Sequence, residues 1–215
     1  MTPPQVPNRP QDIEARSFAV IEAEVPEPRP FAGNEWLVVR RLIHTSADLE
    51  LLRLVEFHAA AVEAGSEALG GGALVVTDTE MARMGISSDR MDRLACRVVC
   101  AIRDPEVVEA ARTKGTTRAE AAVDHMAPSL DNAVCVVGNA PTALLRLLAL
   151  VQEGVCTPAL IIGMPVGFVN AAESKELLAR QDRIPFVTIQ GRKGGSPLAA
   201  ATVNQLAQIA LARDA

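Results

Sequence analysis

From residue 72 onward the chain carries five short apolar runs: ALVVTD, CRVVCAI, AVCVVG, ALIIG and PFVTI. None shows the apolar–polar alternation of a strand with one wet face. Continuous apolar runs of this length fit strands buried on both faces, as in parallel sheets. Helical segments lie between them: TEMARMG, PEVVEAARTKG with RAEAAVDHM, PTALLRLLALVQEG and AAESKELLARQ, with LAAATVNQLAQIALAR after the last run. Strands alternating with helices demand right-handed crossovers and a mainly parallel sheet. The expected architecture is one α/β domain over residues 12–215. It has a five-stranded, mainly parallel sheet flanked by helices, with the N-terminal helices packed on it. Residues 1–11, polar and proline-rich, are expected to form a flexible arm.

Ahead of the sheet, QDIEARSFAVIEAE has a helical stripe at Ile13, Ser17, Val20 and Ile21. VPEPRPFAG is a proline-rich connector in which no helix continues. NEWLVVRRLIH predicts a second helix, capped by Asn34. Thr45 then opens TSAD, a candidate capping box with Asp48, which predicts a third helix running to about Phe57.

In open parallel sheets ligands bind at the carboxyl ends of strands. Three such ends are informative: VVGNAPTALL, IIGMPVGFVNAAESK and TIQGRKGGSPLAAA. Each is a small-residue turn leading into a helix, which predicts free backbone N–H groups suited to carboxylate or phosphate. Glycine turns also close βα units with no ligand at all. Arg192 and Lys193 in one of the three loops favour a polyanionic ligand. No segment fits GxxxxGK[ST], and no GxGxxG follows the first strand, so a nucleotide is not the leading ligand. The net charge of −5 gives no global field for DNA or a membrane surface. Aromatic residues at 3% and the absence of tyrosine argue against stacking of single-stranded nucleic acid. Cys96, Cys100, Cys135 and Cys156 lie in apolar runs with no CxxC pair, as buried reduced thiols do. No residue cluster has metal-ligand spacing. The N-terminus has no signal-peptide pattern and no stretch is long and clean enough to span a bilayer, so a cytoplasmic location is expected.

His44 is one of three histidines in the chain and falls at an expected helix C-terminus, where the dipole favours imidazolium by about 0.3–1 kcal/mol. A histidine there can equally be an ordinary cap. Arg41, three residues earlier, projects from the same helix face. Its fork can grip a carboxylate in bidentate fashion, or it can simply be solvated. A guanidinium beside an imidazole disfavours the charged ring, a tension that a bound carboxylate would relieve. Arg118 follows Thr117, which with Glu120 makes a capping box, so a cation stands against the dipole of a helix start. Such local conflicts gather at functional sites, although a surface arginine can also reach away. Ser17 lies on the apolar stripe, where its hydroxyl needs a partner: the carbonyl one turn back, or a ligand.

GNAPTALLRLL, GMPVGFVNAAESK and GRKGGSPLAAATVN closely resemble segments of the precorrin-8X methylmutases of cobalamin biosynthesis, as do RSFAVIEAE, RLIHTSADLE and VTDTEMARMGI. The matches run in the same order from about residue 12 to residue 207. The resemblance implies an α/β fold and an isomerase that moves a methyl group from ring carbon 11 to ring carbon 12 of a contracted tetrapyrrole. That step yields hydrogenobyrinate or its cobalt counterpart, with no cofactor and no methyl donor. It implies His44 as the general acid, with Ser17, Arg41 and Arg118 contacting substrate. It also implies a homodimer whose active sites draw on both subunits, with neither nucleic acid nor membrane as partner. A tetrapyrrole carrier without catalysis would use the same loops and not need His44. A nucleotide-using methyltransferase would need an adenosyl fingerprint that the chain lacks.

Overall fold

The structure, a computed structural model, describes residues 9–213. The expected arm therefore falls largely outside the described residues, and helix α1 (Pro10–Glu24) already starts at Pro10. Helix α2 (Gly33–Ser46), the short α3 (Leu51–Leu54), strand β1 (Val55–Phe57) and α4 (Ala61–Gly70) follow. Then come β2 (Leu74–Thr77), α5 (Glu80–Gly85), α6 (Ser88–Arg93), β3 (Arg97–Val99), α7 (Pro105–Lys114) and α8 (Arg118–Met126). The chain ends with β4 (Val134–Val137), α9 (Pro141–Gln152), β5 (Leu160–Gly163), α10 (Ala171–Arg180), β6 (Phe186–Ile189) and α11 (Ser196–Arg213).

All five expected apolar runs are strands. They form a parallel sheet, and β1 adds a sixth strand antiparallel to β6, giving the order β1-β6-β5-β4-β2-β3. β1 replaces the end of the third helix expected from the sequence. Thr45 and Ser46 do not start a helix. Their hydroxyls donate back to the carbonyls of Arg41 (2.8 Å) and Leu42 (2.9 Å), and α2 runs two residues further, to Ser46. Ala47 then stops the helix in the left-handed region, at φ 53°. Asp48 accepts from the Glu50 N–H as a local turn, not as part of a capping box. Asn34 is not the cap either, since α2 starts from Ala32 with no side-chain cap.

Helices cover both faces of the sheet. On one face Val75, Val134, Val136, Leu160, Ile162 and Val187 pack against α2, α4 and α11. Cys135, Val137, Ile161 and Phe186 point the other way, towards α8, α9 and α10. Burial on both faces is why β4, β5 and β6 are almost wholly apolar, whereas the edge strand β3 is only partly buried and opens on the exposed Arg97. Helix α11, with twelve buried residues, is the spine of the first layer and packs on α2, α4, α5 and α6. Helix α1 packs on α2. Its stripe is only partly a core face: Ile21 reaches the core, whereas Ile13 and Val20 are exposed. The four cysteines are free, with Cys100 half-buried and the others buried. No helix among the described residues is long and apolar enough to cross a membrane.

Candidate active site

Helix α2 sets the direction of the site. Arg41 Nε donates to Gln205 Oε1 of α11 at 3.2 Å, while Asn34 and Leu37 share a cleft with Ile209 and Arg213. The two helices therefore run antiparallel, and α2 ends at the carboxyl edge of the sheet. Beyond that end, Lys193 in the β6–α11 loop holds the carboxylates of Asp48 and Glu50. His44, in the last turn of α2, thus lies near the edge where ligands of parallel sheets bind.

The imidazole of His44 is half-buried and tilted against Phe18 of α1, with ring centroids 5.2 Å apart. The guanidinium groups of Arg40 and Arg41 stand 4.3 and 4.8 Å from the same Phe18 ring. Cations beside an aromatic face gain roughly 0.5–1 kcal/mol at partly exposed positions. Arg41 Nη1 also donates to Glu14 Oε1 at 2.5 Å. That bond holds the Glu14 carboxyl below its usual range, against the opposing effect of burial. The charges of His44 and of Arg90 on α6 act on the same carboxylate in the same direction. Glu22, two turns further along α1, accepts from Arg29, Trp36 and Arg40. Burial alone would raise its pKa, but those three donors outweigh it and bring it down to about 2.

The structure gathers His44 and Arg41, as the sequence predicts, and Ser17 sits half-buried on α1 between Glu14 and Phe18. Arg118 is elsewhere. It is exposed in the first turn of α8, which packs on α7 and α9 in the opposite layer. Thr117 caps that helix by accepting from the Glu120 N–H at 3.1 Å, and its hydroxyl meets Thr142 at 2.8 Å at the start of α9. Arg118 therefore reaches the same carboxyl edge from the other side of the sheet.

Two expectations about the loops need correction. The N–H groups of Gly138, Asn139 and Ala140 are not free: all three donate to the buried carboxylate of Asp78, at 2.7–3.0 Å. A side chain of the fold fills this would-be anion site. Nor is Lys193 available for a ligand while it holds Asp48 and Glu50, although Arg192 remains exposed over Phe168. Glu14, Phe18, Arg90 and Gln205 join the cluster although nothing in the sequence reading pointed to them. For Glu14 a signal exists, because it lies one turn before Ser17 and Phe18 on the same helical face.

Comparison with known proteins places the chain in a family. The family model described as Precorrin-8X methylmutase matches residues 12–209. A cobalt-precorrin-8 methylmutase of Salmonella typhimurium is 45% identical over 203 residues, covering 92% of this chain and 94% of that protein. One from Priestia megaterium is 42% identical, covering 94% of this chain and 89% of that protein. The crystal structure of a precorrin-8X methylmutase from Thermus thermophilus superposes with a TM-score of 0.87 at 42% identity, covering 94% of this chain and 97% of that one. With a family match spanning both helices of the His44 cluster and the whole sheet, and with relatives aligned over about nine-tenths of their length, the chain belongs to the precorrin-8X methylmutase family of isomerases.

Proposed function

We propose that the protein converts precorrin-8X, or its cobalt-containing counterpart cobalt-precorrin-8, to hydrogenobyrinate or cobyrinate in the building of the cobalamin corrin ring. A methyl group moves from ring carbon 11 to ring carbon 12, and His44 is the general acid. A protonated imidazole lends its proton to a ring nitrogen, which draws electron density from the conjugated system and lowers the barrier to migration. The same proton returns once the methyl group has settled, so no redox partner or methyl donor enters. Histidine suits the role because its ordinary pKa lies near neutrality.

The observation that carries this reading is the placement of His44. It is half-buried at the carboxyl edge, one helical turn from Arg41, against an aromatic ring flanked by two guanidinium groups. The ring of a tetrapyrrole matches the apolar part of that surface and its carboxylate arms match the cations. Arg41 and Ser17 take arms on the His44 side, and Arg118 takes one from the opposite layer of the same edge. The working form is a homodimer in which both subunits complete each site.

The test is an absorbance assay of conversion of the tetrapyrrole to the orange corrin product. His44→Ala is expected to lose turnover by roughly 10²–10⁴-fold while still binding the pigment. Unaltered turnover in that variant removes His44 as the acid.

A further inference from the structure

Arg40, Arg41 and Arg90 surround the region in which His44 is to carry a proton. Each disfavours a second positive charge nearby. The fold answers part of this with Glu22, but that carboxylate is spent on Arg29, Trp36 and Arg40. Beyond the end of α2, Asp48 and Glu50 are taken up by Lys193. Gln205, from α11, gives Arg41 a neutral acceptor only. Glu14 is the carboxylate bonded to Arg41, and it lies one turn before Phe18, whose ring packs on His44. It bonds Arg41 directly and feels the charges of His44 and Arg90.

We propose that Glu14 is a positioning residue for the methyl shift, whose carboxylate aligns Arg41 and supplies a negative charge that offsets the guanidinium groups gathered beside His44. The inference rests on the reading of His44 as the acid. Geometry gives Glu14 this place: it projects from α1 onto Arg41, one turn before Phe18, whose ring packs on His44. Its bond to Arg41 holds its own carboxyl below the usual range, so the negative charge persists throughout the pH interval in which an imidazole titrates.

The two consequences of removing this charge have opposite signs. The acid loses support, so turnover falls. The substrate is a polyanion, so removing a nearby carboxylate leaves binding unchanged or tighter. A variant that merely loosened α1 would weaken both.

The experiment compares Glu14→Gln, Glu14→Asp and His44→Ala with the wild type across pH 6–9, reading kcat and KM by product absorbance. For Glu14→Gln, kcat at pH 8 is expected to fall roughly three- to tenfold. The alkaline limb of its pH profile should move to lower pH. KM should stay level or decrease. Glu14→Asp keeps the charge and is expected to restore the profile. Wild-type kcat and profile in Glu14→Gln overturn the inference, as does a raised KM with an unmoved profile. A dead His44→Ala beside a wild-type-like Glu14→Gln leaves the acid standing and removes Glu14 alone. A fully active His44→Ala removes the acid itself.

Discussion

Lys175 is 1% exposed, on α10, and its ammonium donates to the Lys193 carbonyl at 2.6 Å. Burial pushes its pKa down from 10.5 to about 8. Between those values the unfolded chain binds more protons at this site than the folded one, so stability rises with pH across the interval. The penalty, on the order of 3 kcal/mol, is fully present below pH 8 and gone above 10.5. Lys175→Met removes it but leaves the Lys193 carbonyl without its donor, at a cost of about 1–3 kcal/mol. Near pH 7 the two nearly cancel. Urea unfolding of both proteins should therefore show the wild type gaining on Lys175→Met by about 3 kcal/mol between pH 7 and pH 10.5. A constant gap would contradict the account. This residue also marks the limit of legibility in the site. His44 and Arg41 are three apart, and a helical face links them without any structure. Lys175 with the Lys193 backbone, Glu14 with Arg41, and Gln205 with Arg41 are joined by the fold over 18, 27 and 164 residues. Periodicity in one sequence carries no record of such pairs.

Among the elements, β4, β5 and β6 are legible because burial on both faces forces a composition that little else requires, and β2 and β3 because their short apolar runs alternate with helical segments. Strand β1 is not. It is three residues long, lies on the edge and pairs antiparallel, and its Val-Glu-Phe is too short for one apolar–polar–apolar alternation to stand out. Thr45 and Ser46 mislead for a related reason, because hydroxyls that can cap a helix can also bond back into one. The tie between α1 and α2 offers an element-level test. Glu22 joins α1 to Trp36 and Arg40 of α2 and to Arg29 of the connector. Trp36 is the one tryptophan in a chain without tyrosine, its indole N–H lies 2.8 Å from Glu22, and Arg29 stacks 4.3 Å from its ring. A carboxyl held down at about 2 contributes stability that is present above its ordinary pKa near 4.5 and is lost as pH falls through about 2. Trp36 fluorescence should accordingly titrate with a midpoint well below 4. In Glu22→Gln the emission should be altered already at pH 7 and that transition should be absent. A midpoint near 4.5 in the wild type would show that the three donors do not outweigh burial.

At the scale of the whole molecule, the carboxyl edge combines two properties that a single subunit does not reconcile. It carries the cation cluster around His44 and the exposed Arg118 and Arg192, although the chain as a whole is at −5. It also carries bare apolar side chains: Met84 on α5, 74% exposed, and Phe168 and Val169 in the β5–α10 loop, 83% and 76% exposed. Both segments leave the sheet at strand carboxyl ends, β2 and β5. Isolated exposed hydrophobes are ordinary, but several large ones around one edge mark a surface that something covers. The proposed macrocycle would cover part of it. A second copy of the chain would cover more, and it would account for the exposed Ile13 and Val20 on α1, the helix that carries Ser17. It would also let an Arg118 from one subunit and a His44 from the other approach the same ligand, although they sit in opposite layers within one. Sedimentation equilibrium at micromolar concentration should then give twice the 22.8 kDa chain mass. Phe168→Glu, which places a charge in the contact, should shift the protein towards the monomer and lower turnover together with association. A monomeric wild type with full turnover would mean that one edge serves the reaction alone, and that Arg118 meets the substrate from across its own sheet.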